Sequence, residues 1–217
     1  MKQLIIKSNK YKIYEVDSLY LREIATFVVN ENYKHHHSTD TSKLNAEIES
    51  VYQEELIYAK SAHIFIVENN SSAIIGSIRV MKWNMRNKLP MQKIFGINPL
   101  DHITTSNVTT FWHIGRFAIS TCSGISCGTL FKQLMIYAIY PICKEKDGYM
   151  IAECDSKLLR TMSLLGIDTV SLSKGIYYLS SETIPVYANK AGLEKFYRNF
   201  SYLHHKASNA VTPIEAA

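Results

Sequence analysis

The stretch FWHIGRFAISTCSGISCGTLFKQLM, Phe111 to Met135, constrains the chain more than any other. β-branched and aromatic residues run up to Ser120, small residues follow to Gly128, and apolar residues then recur at helical spacing: Leu130, Leu134, Met135 and Ala138. The pattern predicts a strand over Thr110 to Ile119, a loop, and a helix that Pro141 closes or kinks. A helix opening beside a glycine aims free N–H groups and its positive dipole end at the loop. Gly124, Ser126, Gly128 and Thr129 are therefore expected to cradle the phosphate-bearing tail of an anionic cosubstrate.

The rest of the chain has to supply partners for that unit. A short strand is expected around Lys12 to Val16, a helix from about Ser18, and a second helix from about Ser42 to Ala59. AHIFIVENN and AIIGSIRVMKW, separated by Asn-Asn-Ser-Ser, read as an antiparallel hairpin. After Asp147-Gly148 come a strand, YMIAEC, a helix, SKLLRTMSLLGI, ending at Gly166, and strand-like segments TVSLS, YYLSS and IPVYAN. The order predicts an α+β fold, an α/β/α sandwich around a central, mostly antiparallel mixed sheet. With 217 residues, 47% of them hydrophobic, the chain suits one domain over 1–206 and a loose tail over 207–217.

Composition narrows the function. No apolar run is long enough to span a bilayer, and the N-terminal apolar stretch is too short for a signal peptide. A soluble, cytoplasmic protein is expected. A net charge of +5 fits an acidic partner better than nucleic acid. Cys122, Cys127, Cys143 and Cys154 lack zinc-ligand spacing and read as reduced core thiols. His35, His36 and His37 stand in a polar loop beside Asp40 and read as part of a loop over the acceptor site. No metal and no tightly bound cofactor are expected.

His113 and Glu153, an imidazole and a carboxylate on the strands before and after the predicted helix, are the candidate proton acceptors. Strand alternation places His113 with Gly115 and Phe117, and opposite Trp112, Ile114 and Arg116. Arg79 and Arg116 lie within strands, where an unpaired guanidinium is costly. One should pair with Glu54, Glu55 or Asp40 and pin the helices to the sheet. The other should clamp a ligand carboxylate.

These motifs resemble the GCN5-related N-acyltransferase (GNAT) fold. Within it, SIRV at Arg79, GRFAIS at Arg116 and Phe117, and YLREIATF at Arg22 and Phe27 look most like the acyl-homoserine lactone synthases and N-acyl amino acid synthases. The resemblance covers about Ser18 to Asn189, and ETIPVYAN is closer to the N-acyl amino acid synthases. It implies splayed central strands, and a strand whose main chain at Phe117, Ala118 and Ile119 meets the pantetheine arm of an acyl thioester. It also implies substrate-binding roles for Arg79, Arg116 and Trp112. His113 stands where the lactone synthases carry a catalytic glutamate, Glu54 and Glu55 stand for their paired aspartates, and of the usual pyrophosphate-loop glycines only Gly128 is present over Ser123 to Gly128. The expected activity is transfer of a long-chain acyl group, from acyl carrier protein or coenzyme A, to an amino acid or related amine. The alternatives are a homoserine lactone synthase using S-adenosylmethionine, a short-chain acetyltransferase, and a non-catalytic module binding acyl chains or carrier protein. Lys82, Arg86, Lys88, Lys93, Lys132, Lys144, Lys146, Lys157 and Arg160 are the basic residues on which an acidic carrier protein would dock.

Overall fold

The computed structural model describes residues 1–35, 42–121, 124–178 and 181–204. His36, His37, Asp40, Cys122, Ser123 and the 207–217 tail lie outside the described residues. Among the described residues nine strands form one sheet: β1 (Lys2–Lys7), β2 (Tyr11–Val16), β3 (Ala62–Asn69), β4 (Ile74–Lys82), β5 (Thr109–Ile119), β6 (Asp147–Asp155), β7 (Val170–Ser171), β8 (Ile176–Tyr178) and β9 (Ser181–Asn189). The helices are α1 (Leu21–His35), α2 (Leu44–Tyr58), α3 (Pro90–Ile94), α4 (Cys127–Lys144), α5 (Ser156–Leu164) and α6 (Lys190–Phe200).

Strand order is β1-β2-β3-β4-β5-β6-β9-β7, with β8 also on β9. Every pairing is antiparallel except β5 with β6. The expected mixed, mostly antiparallel sheet flanked by helices is therefore what the chain forms. The connection between β5 and β6 runs through α4, as a parallel pair requires.

Alternation along the strands divides the core. Ile78, Val80, Trp112, Ile114 and Met150 face α4 and α6, where Leu130, Leu134, Ile139, Leu193 and Phe196 complete the main cluster. Met81, Phe111 and Ile151 face the other way, onto Tyr58, Trp83, Leu89 and Met91. α1 seats Leu21 and Ile24 on Ile64 and Ile66, and packs α2 through Ala25, Val29, Ile48 and Val51. Burying one such aliphatic side chain is worth roughly 1.5–3 kcal/mol. α4 lies so close to β4 that a Cβ on Gly76 would sit 3.1 Å from Leu134.

Three local expectations change. The N-terminal residues Lys2–Lys7 add an edge strand to Tyr11–Val16. Pro141 lies within α4, which runs on to Lys144. It sits in the last turn, where its missing N–H costs a single helical bond. After β9 comes α6, a helix the strand-like reading of the C-terminal region overlooked. Its signal is in the sequence: Asn189 accepts a bond from the Gly192 N–H, and Leu193, Phe196, Tyr197 and Phe200 follow at helical spacing.

Candidate active site

β5 and β6 are paired from Thr109/Asp147 to Ile114/Ala152 and no further, although β5 continues to Ile119 and β6 to Asp155. The strands part at Gly115 and Glu153. A cavity of about 580 Å³ opens in the gap, lined by His113 through Ile119 of β5 and by Ala152 through Asp155 of β6. α1 contributes Val28, Glu31, Asn32 and His35, α4 contributes Cys127, Gly128, Phe131 and Met135, and α5 contributes Lys157, Leu158 and Met162.

β5 also breaks step with β4. Arg79 pairs with Gly115 and Ser77 with Ala118, so Arg116 and Phe117 together oppose Ile78. This is a β-bulge, and Arg116 occupies it with φ at +53°. The extra residue reverses the alternation beyond it, which corrects the faces expected from the sequence. Arg116 joins Arg79 and His113 on the α2 side, while Phe117 turns to α4 and meets Phe131 edge to face at 5.3 Å. A non-glycine residue in this region is strained, by about 1–3 kcal/mol, and persists only when its surroundings hold it.

Two glutamates of α2 hold it. Arg116 Nε donates to Glu55 Oε1 at 2.7 Å, and Arg116 Nη2 donates to Glu54. Glu55 Oε2 lies 3.2 Å from Arg79 Nε, and Lys93 Nζ donates to Glu54 at 2.9 Å. Burial alone would raise the Glu54 and Glu55 carboxyls, yet Arg116, Arg79 and Lys93 outweigh it and hold both below the usual carboxylate range. Burial likewise opposes the Arg116 charge, and the two glutamates reverse that and raise its pKa. Both arginines are thus ion-paired, where the sequence suggested one pair and one free clamp.

Arg79 extends the network into the cleft. Its side chain is 1% exposed, with Nη1 on Met81 Sδ at 3.0 Å and Nη2 2.8 Å from His113 Nδ1. His113 Nε2 in turn lies 2.9 Å from Glu153 Oε2. Gly115 makes the passage: a Cβ there would stand 2.6 Å from Arg79 Nη2 and 3.2 Å from His113 Cε1. Glu153 lines the cavity, and its Oε1 is buried without a hydrogen-bond partner among the described residues.

The remaining candidates divide between cavity and core. Phe117, Ala118, Ile119 and Gly128 line the cavity. Trp112 faces the α4 core and is 8% exposed. Gly124 borders a shallow second depression with Lys10 and Asn70, and Ser126 and Thr129 sit at the start of α4 away from the cavity lining. Arg22 pairs with Glu49 on the exposed face of α1 and α2. Cys127 is exposed rather than a core thiol, whereas Cys143 and Cys154 are buried. His35 closes the α1 side, with Nε2 3.2 Å from the Ile119 carbonyl. His35, read from the sequence as part of a loop, is instead the last residue of α1 and does border the cleft, while Glu31 and Asn32 escaped the sequence reading because a helix far along the chain reaches the cleft only by packing against the sheet.

No family model and no curated protein matches the sequence. Solved structures do match the fold. FeeM, an N-acyl amino acid synthase from uncultured soil microbes, superposes with a TM-score of 0.57 at 15% identity, over 88% of this chain and 98% of that one. The acyl-homoserine lactone synthase LasI gives 0.53 at 12% identity, over 88% and 96%. A GNAT-family acetyltransferase from Staphylococcus aureus gives 0.50 at 15% identity, over 83% and 99%. The chain has the GNAT fold. Among the described residues no helix is long and apolar enough to cross a membrane.

Proposed function

We propose that the protein is an N-acyltransferase that moves a long-chain acyl group from a pantetheine thioester to the amine of an amino acid or related metabolite. The observation that carries this reading is the parting of β5 and β6 at Gly115 and Glu153, with a carboxylate at the apex of the gap. Past Ile114 the main chain of β5 has no strand partner on that side among the described residues, which suits pairing with the amide-bearing pantetheine arm. Phe131, Met135, Met150 and Met162 give one wall the apolar character a hydrocarbon needs.

The chemistry asked of the site is modest. The amine nitrogen attacks the thioester carbonyl carbon, a C–N bond forms, the C–S bond breaks, and the amine proton passes to a protein base. The leaving thiolate ends as a free thiol. Main-chain groups over Phe117 to Ile119 polarise the carbonyl, and the cleft holds donor and acceptor together. Arg79 and Arg116 both border the cavity and both are already paired with the α2 glutamates, so neither stands as a free clamp for an acceptor carboxylate.

The donor is acyl carrier protein or acyl-coenzyme A. Of the basic residues around the cleft, Lys157 lines it directly, while Lys82 and Lys93 are paired with Glu145 and Glu54. The test incubates the purified chain with long-chain acyl-carrier protein or acyl-coenzyme A, with and without an amino-acid mixture, and follows thiol release. Release that needs the amine supports the reading. Absence of release with either donor refutes it in favour of a binding module.

A further inference from the structure

We propose that Glu153 is the base that takes the amine proton and that His113 is a positioning residue, its tautomer imposed by Arg79. This rests on the acyl-transfer reading for its chemistry, although the tautomer can be tested without it. Sequence alone favours His113, an imidazole on the strand that borders the thioester. The hydrogen-bond order in the cleft reverses that preference.

A guanidinium has only N–H donors and keeps its charge. Arg79 Nη2, 2.8 Å from His113 Nδ1, must therefore donate, and His113 Nδ1 must accept. The ring proton then sits on Nε2, which donates to Glu153 Oε2 at 2.9 Å. Both ring nitrogens are used within the protein, and the ring is 1% exposed. To take a proton from substrate, His113 would have to turn an N–H against the guanidinium. No lone pair of the imidazole is left for an amine.

Glu153 is arranged in the opposite way. One oxygen accepts from His113, and the other, Oε1, has no partner among the described residues although it is buried in the wall of the cavity. A buried carboxylate oxygen left unbonded is costly, which marks it as a group awaiting a donor. An amine N–H, or a water bound to it, supplies that bond and then the proton. The C–N bond forms as the proton passes to Oε1, and the protonated Glu153 is left to return it to solvent or to the departing thiolate. His113 holds the carboxylate in place, Arg79 holds His113, and Glu55, 3.2 Å from Arg79 Nε, anchors the chain to α2.

Three measurements test the assignment. Nitrogen-15 NMR of the unmodified protein should show His113 as the neutral Nε2–H tautomer; a proton on Nδ1 overturns the proposal whatever the enzyme turns over. Glu153→Gln should lower kcat by about 10²–10⁴-fold with donor KM unchanged; retained kcat overturns it. His113→Gln offers one acceptor and one donor in place of the two ring nitrogens but cannot take a proton. It should keep kcat within about tenfold of the parent, while His113→Ala loses far more; a folded His113→Gln as inactive as Glu153→Gln makes the histidine the base and overturns the proposal. If no donor supports turnover in the parent protein, the acyl-transfer reading fails while the tautomer measurement still decides how His113 is held.

Discussion

Replacing Gly115 with alanine tests how the buried network is built. The backbone at Gly115 is not in the left-handed region, so alanine brings no torsional strain there. Its cost is steric: the new Cβ would stand 2.6 Å from Arg79 Nη2 and 3.2 Å from His113 Cε1. Two routes relieve the contact. The strand can shift, an overpacking cost of about 1–3 kcal/mol. Alternatively Arg79 can swing away from His113, giving up a charge-assisted hydrogen bond worth about 1.5–3 kcal/mol. The chain takes the cheaper route, so the expected loss is about 1–3 kcal/mol, which lowers Tm by about 2–12 °C in a chain of this size. Circular dichroism melts and urea titrations of Gly115→Ala measure it. The same substitution in an Arg79→Met background should cost under about 1 kcal/mol, because the clashing group is gone and Glu55 keeps Arg116. Equal costs in the two backgrounds would show that the guanidinium is not what the Cβ meets, and the network argument would fall.

Acid should loosen the anchoring of α2. Glu54 and Glu55 titrate lower folded than unfolded, so the stability they contribute is full above the ordinary carboxylate pKa and lost as pH falls through their folded values. Urea midpoints should fall from about pH 5 downward, and Glu54→Gln should flatten that slope; an unchanged slope counts against the pairing with Arg116. Thiol reactivity should follow burial, which pushes Cys143 up to about 11 and raises Cys154 as well. Iodoacetamide at pH 8 should label Cys127 in the folded protein and reach Cys143 and Cys154 only in denaturant, as read by peptide mass spectrometry; fast labelling of Cys154 in the native state would contradict its enclosure.

The sequence carried the periodic part of this fold. Alternation and the Asn-Asn-Ser-Ser turn located the β3/β4 hairpin, and the passage from β-rich to helical spacing around Gly128 located β5 and α4. Arg79 and Arg116 could be picked out because charged residues inside strands are costly, whereas the resemblance to the lactone synthases brought in Glu54, Glu55 and the position of His113, with Glu153 as a second candidate base. The edge strand β1 was overlooked because so short a segment takes its form from pairing with β2, whereas α6 was overlooked although its cap and apolar spacing are present in the sequence.

Periodicity could not tell which way those side chains point. A single extra residue at Arg116 turns it and Phe117 to the opposite faces from those alternation assigns, and the bulge forms because Glu54 and Glu55, more than sixty positions away, hold the guanidinium. Nor could it rank His113 against Glu153. That ranking rests on an arginine from another strand fixing the histidine proton, a contact only the folded sheet makes. The stretch from Phe111 to Met135 set the strand, the loop and the helix, for these follow from local preference. Where β5 leaves β6, and which acid then stands unbonded in the gap, follow from long-range pairing and belong to the tertiary structure alone.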